Sequence, residues 1–298
     1  MPKQQAITIS LKGSIHTGIR GYNKIIGIYH EAKVYKNTEI SLDFSGMTWI
    51  DANLCSLLNA IEYRLKAENN IDFVTDFDYL YNNNFDVLFR NGFLKDPDFD
   101  GHDYRGSTVQ LTEFGRSDKS RFLRYINNDL MFHERMPRLD DDLFDKIIED
   151  LIEVYCNYEY HAKTAAPFFI CGQYYPTHKV FKVSMVDVGV GFLDAIQNVT
   201  QGRISTHAAA IKWAVQGNST KEKNIPGGLG LQGILDFCYK TGGKLEIVSG
   251  DAYWKSGNKI GISEVKTIKK RLQVQLLIYF SIVSNYKLIS NIALKSVY

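Results

Sequence analysis

Several features that mark particular classes of protein are missing from this chain of 298 residues. Its four cysteines are scattered and form no CxxC pair, so neither a structural zinc site nor a disulfide framework is expected. Lys and Arg total 35 against 33 Asp and Glu, and the net charge of +2 gives no reason to expect nucleic acid or an anionic membrane as a partner. Apolar residues make up 45% and charged residues 23%, a balance that excludes disorder and collagen and indicates a globular chain of about two domains.

Long hydrophobic runs are also missing. No apolar run reaches the roughly 18–20 residues that span a bilayer. The nearest candidate, residues 272–283, is short and is interrupted by Gln273, Gln275 and Ser281. The opening residues, MPKQQAITIS, contain no apolar signal segment. We therefore expect a cytoplasmic protein without a membrane partner.

Hydrophobic periodicity divides the chain into two α/β parts. The first part predicts strands at 6–11, 39–44 and 71–74, joined by crossovers, and helices at 51–65 and 85–93. The segment KDPDFDGHDYRG, residues 95–106, is rich in Asp and Gly and is interpreted as a linker. The second part predicts strands at 107–114, 180–186, 244–248 and 272–280, and helices at 118–131, 140–161, 206–215 and from the glycines at 227–230 to about 239.

The first patch whose side chains could bind a ligand or take part in catalysis is EVYCNYEYH, residues 153–161. Helical steps of four place Glu153, Asn157 and His161 on one stripe. Such a stripe is most often a solvated face. Asn, however, is a poor choice inside a helix unless its amide has a partner. Mg²⁺ is one such partner, because it takes oxygen ligands and keeps waters that a nearby carboxylate can orient.

Two glycine-containing patches follow. Asp187 ends a predicted strand, and Gly189 and Gly191 after it allow a ligand to approach the backbone, although an ordinary β-turn has the same pattern. The run IPGGLGL, residues 225–231, opens a helix, whose free N–H groups can bind phosphate. A loop before a capped helix explains it equally, and no Gly-Lys-Ser/Thr marks a Walker A loop.

Taken together, residues 140–280 resemble the ATP-binding domain of the GHKL superfamily, which includes histidine kinases, gyrase B, heat-shock chaperones and anti-sigma-factor serine kinases. Its three boxes match in order: E-x3-N-x3-H/K/R at 153–161, D-x-G-x-G at 187–191, and G-x-G-L within GGLGL, where Gly228, Leu229 and Gly230 provide the match. The segment 217–226 resembles the lid that precedes the last box.

The resemblance implies a role for each residue. Glu153 would orient or deprotonate the attacking water, Asn157 would ligate Mg²⁺, and His161 would lie near the phosphates of ATP. Lys221 or Lys223 in the lid would reach the γ-phosphate, and nothing in the sequence chooses between them.

The glycine boxes would hold the two ends of the nucleotide. Asp187 would bind the amino group of adenine, and Gly189 and Gly191 would let the base approach. Phosphate would contact backbone N–H groups of the second box, at Gly228, Leu229 and Gly230. The chain departs from the family at residues 270–272, where Lys-Arg-Leu replaces the Gly-Thr that often opens the last strand.

Residues 38–94 resemble a STAS domain, the fold of anti-sigma-factor antagonists. The resemblance lies in LDFSGMTWIDANL, residues 42–54, and RNGFL, residues 90–94. The serine pair of that family falls on Ala52 and Asn53, which have no hydroxyl, so we do not expect phosphorylation there. Docking or dimerisation is the ordinary role of such a unit.

These resemblances predict an α/β (α+β) chain with a STAS-like regulatory or docking domain at 1–103 and a GHKL-type ATP-binding domain, an α/β sandwich, at 104–298. We expect slow Mg²⁺-dependent ATP hydrolysis in bacterial signalling or stress response, with an unidentified protein partner and a possible homodimer. Two alternatives stay open: a nucleotide-gated interaction module without turnover, and an anti-sigma-type serine kinase that acts on a separate partner.

Overall fold

The computed structural model describes residues 7–98, 101–218, 230–259, 261–269 and 276–283. These residues form a sheet of three parallel strands and a sheet of seven antiparallel strands, with helices against both. The chain is therefore of mixed α/β class, as the sequence predicts.

The first part of the chain is a compact unit of alternating strands and helices, which we call the front unit (residues 7–98). Its strand order is β1-β2-β3, and both pairings are parallel, which confirms the predicted crossovers; each crossover contains a helix. Its elements are β1 (Ile7–Ile15), α1 (Ile19–Ala32), β2 (Thr38–Ile50), α2 (Cys55–Asn69), β3 (Ile71–Val74), α3 (Phe77–Asn82) and α4 (Val87–Arg90).

The helices of the front unit differ from the sequence predictions. Helix α1 was not predicted, because Gly21 and Gly27 interrupt its apolar stripe, although Tyr22 and Ile26 are fully buried. Gly21 is needed there, since a β-carbon would overlap the carbonyl oxygen of His16. The helix predicted at 85–93 is a single turn, α4. The helix predicted at 51–65 begins as a 3-10 turn and extends to Asn69.

The middle of the chain carries the longest helix. Strand β4 (Thr108–Phe114) leads into α5 (Lys119–Tyr125), and a π-helical turn at Ile126–Met131 divides the helix predicted at 118–131. Helix α6 (Asp141–His161) confirms the prediction: the side chain of Asp140 accepts a hydrogen bond from the backbone N–H of Leu143 at 2.8 Å and caps the first turn.

The seven-stranded sheet has the order β4-β5-β6-β10-β7-β8-β9, and every neighbouring pair is antiparallel. Strands β5, β8 and β9 and helix α7 were not predicted. The remaining elements are β5 (Phe168–Tyr175), β6 (Val180–Asp187), α7 (Phe192–Val199), α8 (His207–Val215), α9 (Gly230–Lys240), β7 (Leu245–Ser249), β8 (Ala252–Ser256), β9 (Ser263–Thr267) and β10 (Leu276–Val283).

Strand β6 shows how the layers are arranged. Phe181, Val183 and Met185 belong to the apolar cluster that also contains α6, α8 and α9. The alternate residues face the other way: Ser184 accepts a hydrogen bond from the front unit, and Val186 joins the front unit's apolar cluster. The sheet therefore lies between a helical layer and the front unit, and β6 borders both.

The segment predicted to be a linker is anchored at its carboxyl end. Asp103 pairs with the buried guanidinium of Arg90 at 2.5 Å and accepts hydrogen bonds from the backbone N–H groups of Ser107 and Thr108 at 2.6 Å. Asp86 pairs with the same guanidinium at 2.8 Å. These ion pairs tie the last turn of the front unit to the start of β4.

Candidate functional site

Helix α6 carries the first predicted patch on one stripe. Glu153, Asn157 and His161 are half-buried, whereas Leu151 and Tyr155 on the core side are fully buried. The amide of Asn157 makes no hydrogen bond to any of the described residues. No described residue therefore occupies this amide, and a ligand could bind to it.

The last glycine of the third patch lies against this stripe. A β-carbon on Gly230 would lie 2.9 Å from the carbonyl oxygen of Asp150 and 3.0 Å from Cβ of Glu153. Only a residue without a side chain lets α9 begin this close to α6. Glu153 and the start of α9 are therefore neighbours, although 77 positions separate them in the chain.

The second patch lies against the carboxyl end of the same helix. The backbone N–H of Val190 donates to the carbonyl oxygen of Ala162 at 3.0 Å, and a β-carbon on Gly189 would overlap the Ala162 backbone. Gly191 has φ 74° at the start of α7, a conformation that favours glycine. The loop after β6 is thus held directly beside His161.

Asp187 is a buried carboxyl at the end of β6, with 5% of its surface exposed. Burial raises the pKa of Asp187 to about 7, although the hydrogen bond from the Gly189 N–H, 2.7 Å from Oδ1, acts in the opposite direction. The other carboxyl oxygen accepts no hydrogen bond from the described residues. It offers one acceptor to an amino group.

The structure thus brings together Glu153, Asn157, His161, the loop from Asp187 to Gly191, and Gly230. The predicted residues Lys221, Lys223, Gly228 and Leu229 lie outside the described residues, as do the departure at 270–272 and most of the lid-like segment. Among the residues that are described, no group of three or more His, Cys, Asp or Glu side chains is arranged to hold a metal ion.

One acidic residue beside the site escaped sequence analysis. Asp150 is 1% exposed, pairs with Lys146 at 2.7 Å, and presses its carboxyl against Gly233 of α9. Burial raises the pKa of Asp150, and the ammonium of Lys146 opposes that effect. The sequence could have indicated this buried carboxyl, because Asp150 lies on the apolar stripe of the helix between Ile147 and Leu151.

The positions that replace the serine pair are enclosed within the molecule. Ala52 and Asn53 have no exposed surface. The amide of Asn53 donates to the hydroxyl of Ser184 at 2.7 Å, and the N–H of Ala52 donates to the side-chain oxygen of Gln173 at 3.1 Å. This motif of the front unit therefore contacts the seven-stranded sheet.

No protein-family model matches this sequence, and no curated protein is significantly similar to it. Within the described residues, none of the helices is both long enough and apolar enough to cross a bilayer.

Proposed function

We propose that this chain binds ATP with Mg²⁺ between α6, the loop after β6 and the start of α9, and hydrolyses it slowly as a GHKL-type protein. The observation that carries the proposal is the convergence on α6. Gly230 packs on Glu153 at one position, and Gly189 packs on Ala162 less than three turns further along. Two sequence patches and the last glycine of the third, each of which has an ordinary explanation by itself, therefore lie together on α6.

Asp187 supports recognition of adenine. A buried carboxyl with an unused oxygen can accept a hydrogen bond from the exocyclic amine of ATP, but it would face the carbonyl of GTP. Gly189 beside it leaves room for the Ala162 backbone, so this loop lies directly against the carboxyl end of α6.

In this proposal the phosphates of ATP bind at α6 and α9. The first turn of α9 presents backbone N–H groups that have no partner within the helix, together with the positive end of its dipole. The amide oxygen of Asn157 fits Mg²⁺, which would take its other ligands from phosphate and water and would neutralise phosphate charge. Glu153, one turn before Asn157, would orient or deprotonate the attacking water.

The deciding experiment measures binding and turnover on the same protein. Calorimetry should show that ATP with Mg²⁺ binds more tightly than GTP, and that Asn157→Ala removes tight binding. Asn82→Ala, an exposed Asn of α3, is the matched control and should bind like wild type. Equal affinity in wild type and Asn157→Ala would remove Asn157 from the site.

Turnover is followed with γ-labelled ATP, measuring both free phosphate and label on protein. Slow release of phosphate supports the hydrolase. Label transferred to an added protein would replace it with the serine-kinase alternative. Binding without either product would leave the nucleotide-gated module as the function.

A further inference from the structure

A second pocket lies on the opposite side of the sheet from the proposed ATP site. It has a volume of about 440 Å³ and opens between the front unit and the hairpin that joins β5 to β6. Trp49 and Asp51 line it from the front unit, Arg105 from the segment before β4, and Tyr175 and Lys182 from the hairpin. The proposed ATPase uses none of these residues.

The floor of the pocket is a satisfied ion pair. Asp51, which is 1% exposed, accepts from Lys182 at 2.5 Å, from the Thr17 N–H at 2.8 Å and from the Trp49 indole N–H at 2.8 Å. Burial favours protonation of Asp51, but the Lys182 charge and these hydrogen bonds outweigh it and hold the pKa of Asp51 below its ordinary value. The carboxylate of Asp51 is ionised, and the ammonium of Lys182 compensates its charge, so the pocket floor does not favour a cationic ligand.

The walls are aromatic and held in place. The single polar atom of Trp49 is bound to Asp51, yet 44% of the residue remains exposed, so an apolar ring faces the pocket. Its centroid lies 6.5 Å from that of Tyr175 and 6.3 Å from that of His16. The ammonium of Lys182 lies 4.3 Å from the centre of the Tyr175 ring. Exposed, oriented indole surface is typical of sites that bind planar groups.

The rim carries positive charge. Arg105 is 53% exposed. Its Nε donates to the hydroxyl of Tyr104 at 3.2 Å, and among the described residues its closest carboxylate, Asp86, lies 3.6 Å away, outside ideal hydrogen-bond distance. The exposed imidazoles of His16 and His178 also line the pocket. Arg105 and Trp49 both line an adjoining cavity of about 330 Å³, so together they border a continuous depression.

We propose that this pocket binds a small aromatic anion: a planar ring that stacks on Trp49, with a carboxylate or phosphate substituent directed to Arg105. The volume lies within the usual range for small-molecule sites. The neutralised floor leaves the guanidinium of Arg105 as the charge that selects the ligand, and it selects a negative one.

The test uses four probes that share one ring: phenyl phosphate, benzoate, benzyl alcohol and benzylamine. Titrations are followed by tryptophan fluorescence: Trp49 is exposed in the pocket, Trp213 is half-buried on α8, and Trp254 is buried. We expect one or both anions to bind at least tenfold more tightly than the alcohol or the amine. The stronger of the two anions identifies phosphate or carboxylate as the natural substituent. Equal binding of all four probes, or of none, overturns the proposal.

Variants locate the binding. Arg105→Gln should weaken the affinity for the anionic probe at least tenfold. Arg121 has a similar exposure and lies beyond the far end of β4, so Arg121→Gln should leave that affinity unchanged. Calorimetry should show loss of binding in Trp49→Ala and recovery in Trp49→Phe, which keeps a ring. Circular dichroism confirms that each variant is folded. Full binding in folded Trp49→Ala would place the probe elsewhere and refute the assignment.

Discussion

Replacing Asp187 by Asn should change stability and ATP binding in opposite directions. In the folded protein, burial raises the pKa of this carboxyl from its ordinary 3.8 to about 7. Since the acid ionises more easily in the unfolded chain, its burial lowers stability as the pH rises. The effect begins near pH 4, grows until about pH 7 and is constant above. Asn has no charge to bury, and its side-chain oxygen can still accept the hydrogen bond from Gly189.

The expected gain follows from that pKa. Asp187→Asn should raise the free energy of unfolding by about 1.7 kcal/mol at pH 5 and by about 4 kcal/mol at pH 8, since each pH unit is worth about 1.4 kcal/mol. Urea unfolding at both pH values measures it. Asp236→Asn, an exposed Asp of α9, should show no such difference.

The same variant should lose ATP affinity. A buried, charge-assisted hydrogen bond to the adenine amine is worth about 1.5–3 kcal/mol, or roughly 10- to 150-fold in Kd. A stability gain that does not depend on pH would refute the buried-acid argument. A pH-dependent gain with unchanged ATP affinity would keep the buried acid but remove Asp187 from adenine recognition.

Three further substitutions test the site and the packing of the front unit. Glu153→Gln should still bind ATP but lower the rate of hydrolysis at least 100-fold, which is the smallest usual contribution of a general base. The control Glu149→Gln, one turn earlier and exposed, should hydrolyse ATP at the wild-type rate. A wild-type rate in Glu153→Gln would place the base elsewhere. Gly230→Ala should weaken ATP binding and lower the melting temperature, because its methyl group presses on Glu153; wild-type values for both would contradict that contact. Asn53→Ala should lower the free energy of unfolding in urea by about 1–3 kcal/mol, because Ser184 loses a buried partner; a neutral result would show that this buried hydrogen bond adds nothing.

Local features of the sequence predicted much of the scaffold around the site. Helix α6 was predicted at nearly its observed bounds, because both its cap at Asp140 and its apolar stripe depend on residues within one or two turns. Strand β6 and helix α8 were also predicted, since each has its period and its boundary residues within a few positions. By contrast, α1 was missed because it carries two glycines. Strand β5 is a nearly continuous apolar run, and periodicity alone does not decide whether such a run is a strand or a buried helix.

The order of the three patches, and the face of α6 that carries Glu153, Asn157 and His161, follow from the sequence alone. That Gly230 and Gly189 meet that helix follows only from the packing of the folded chain. Contacts between distant segments depend on how sheets pair and layers stack, and no local periodicity encodes them. The same reason applies to the front unit: the sequence pattern singles out residues 52 and 53, but the packing of two layers places them against β5 and β6, where neither is exposed.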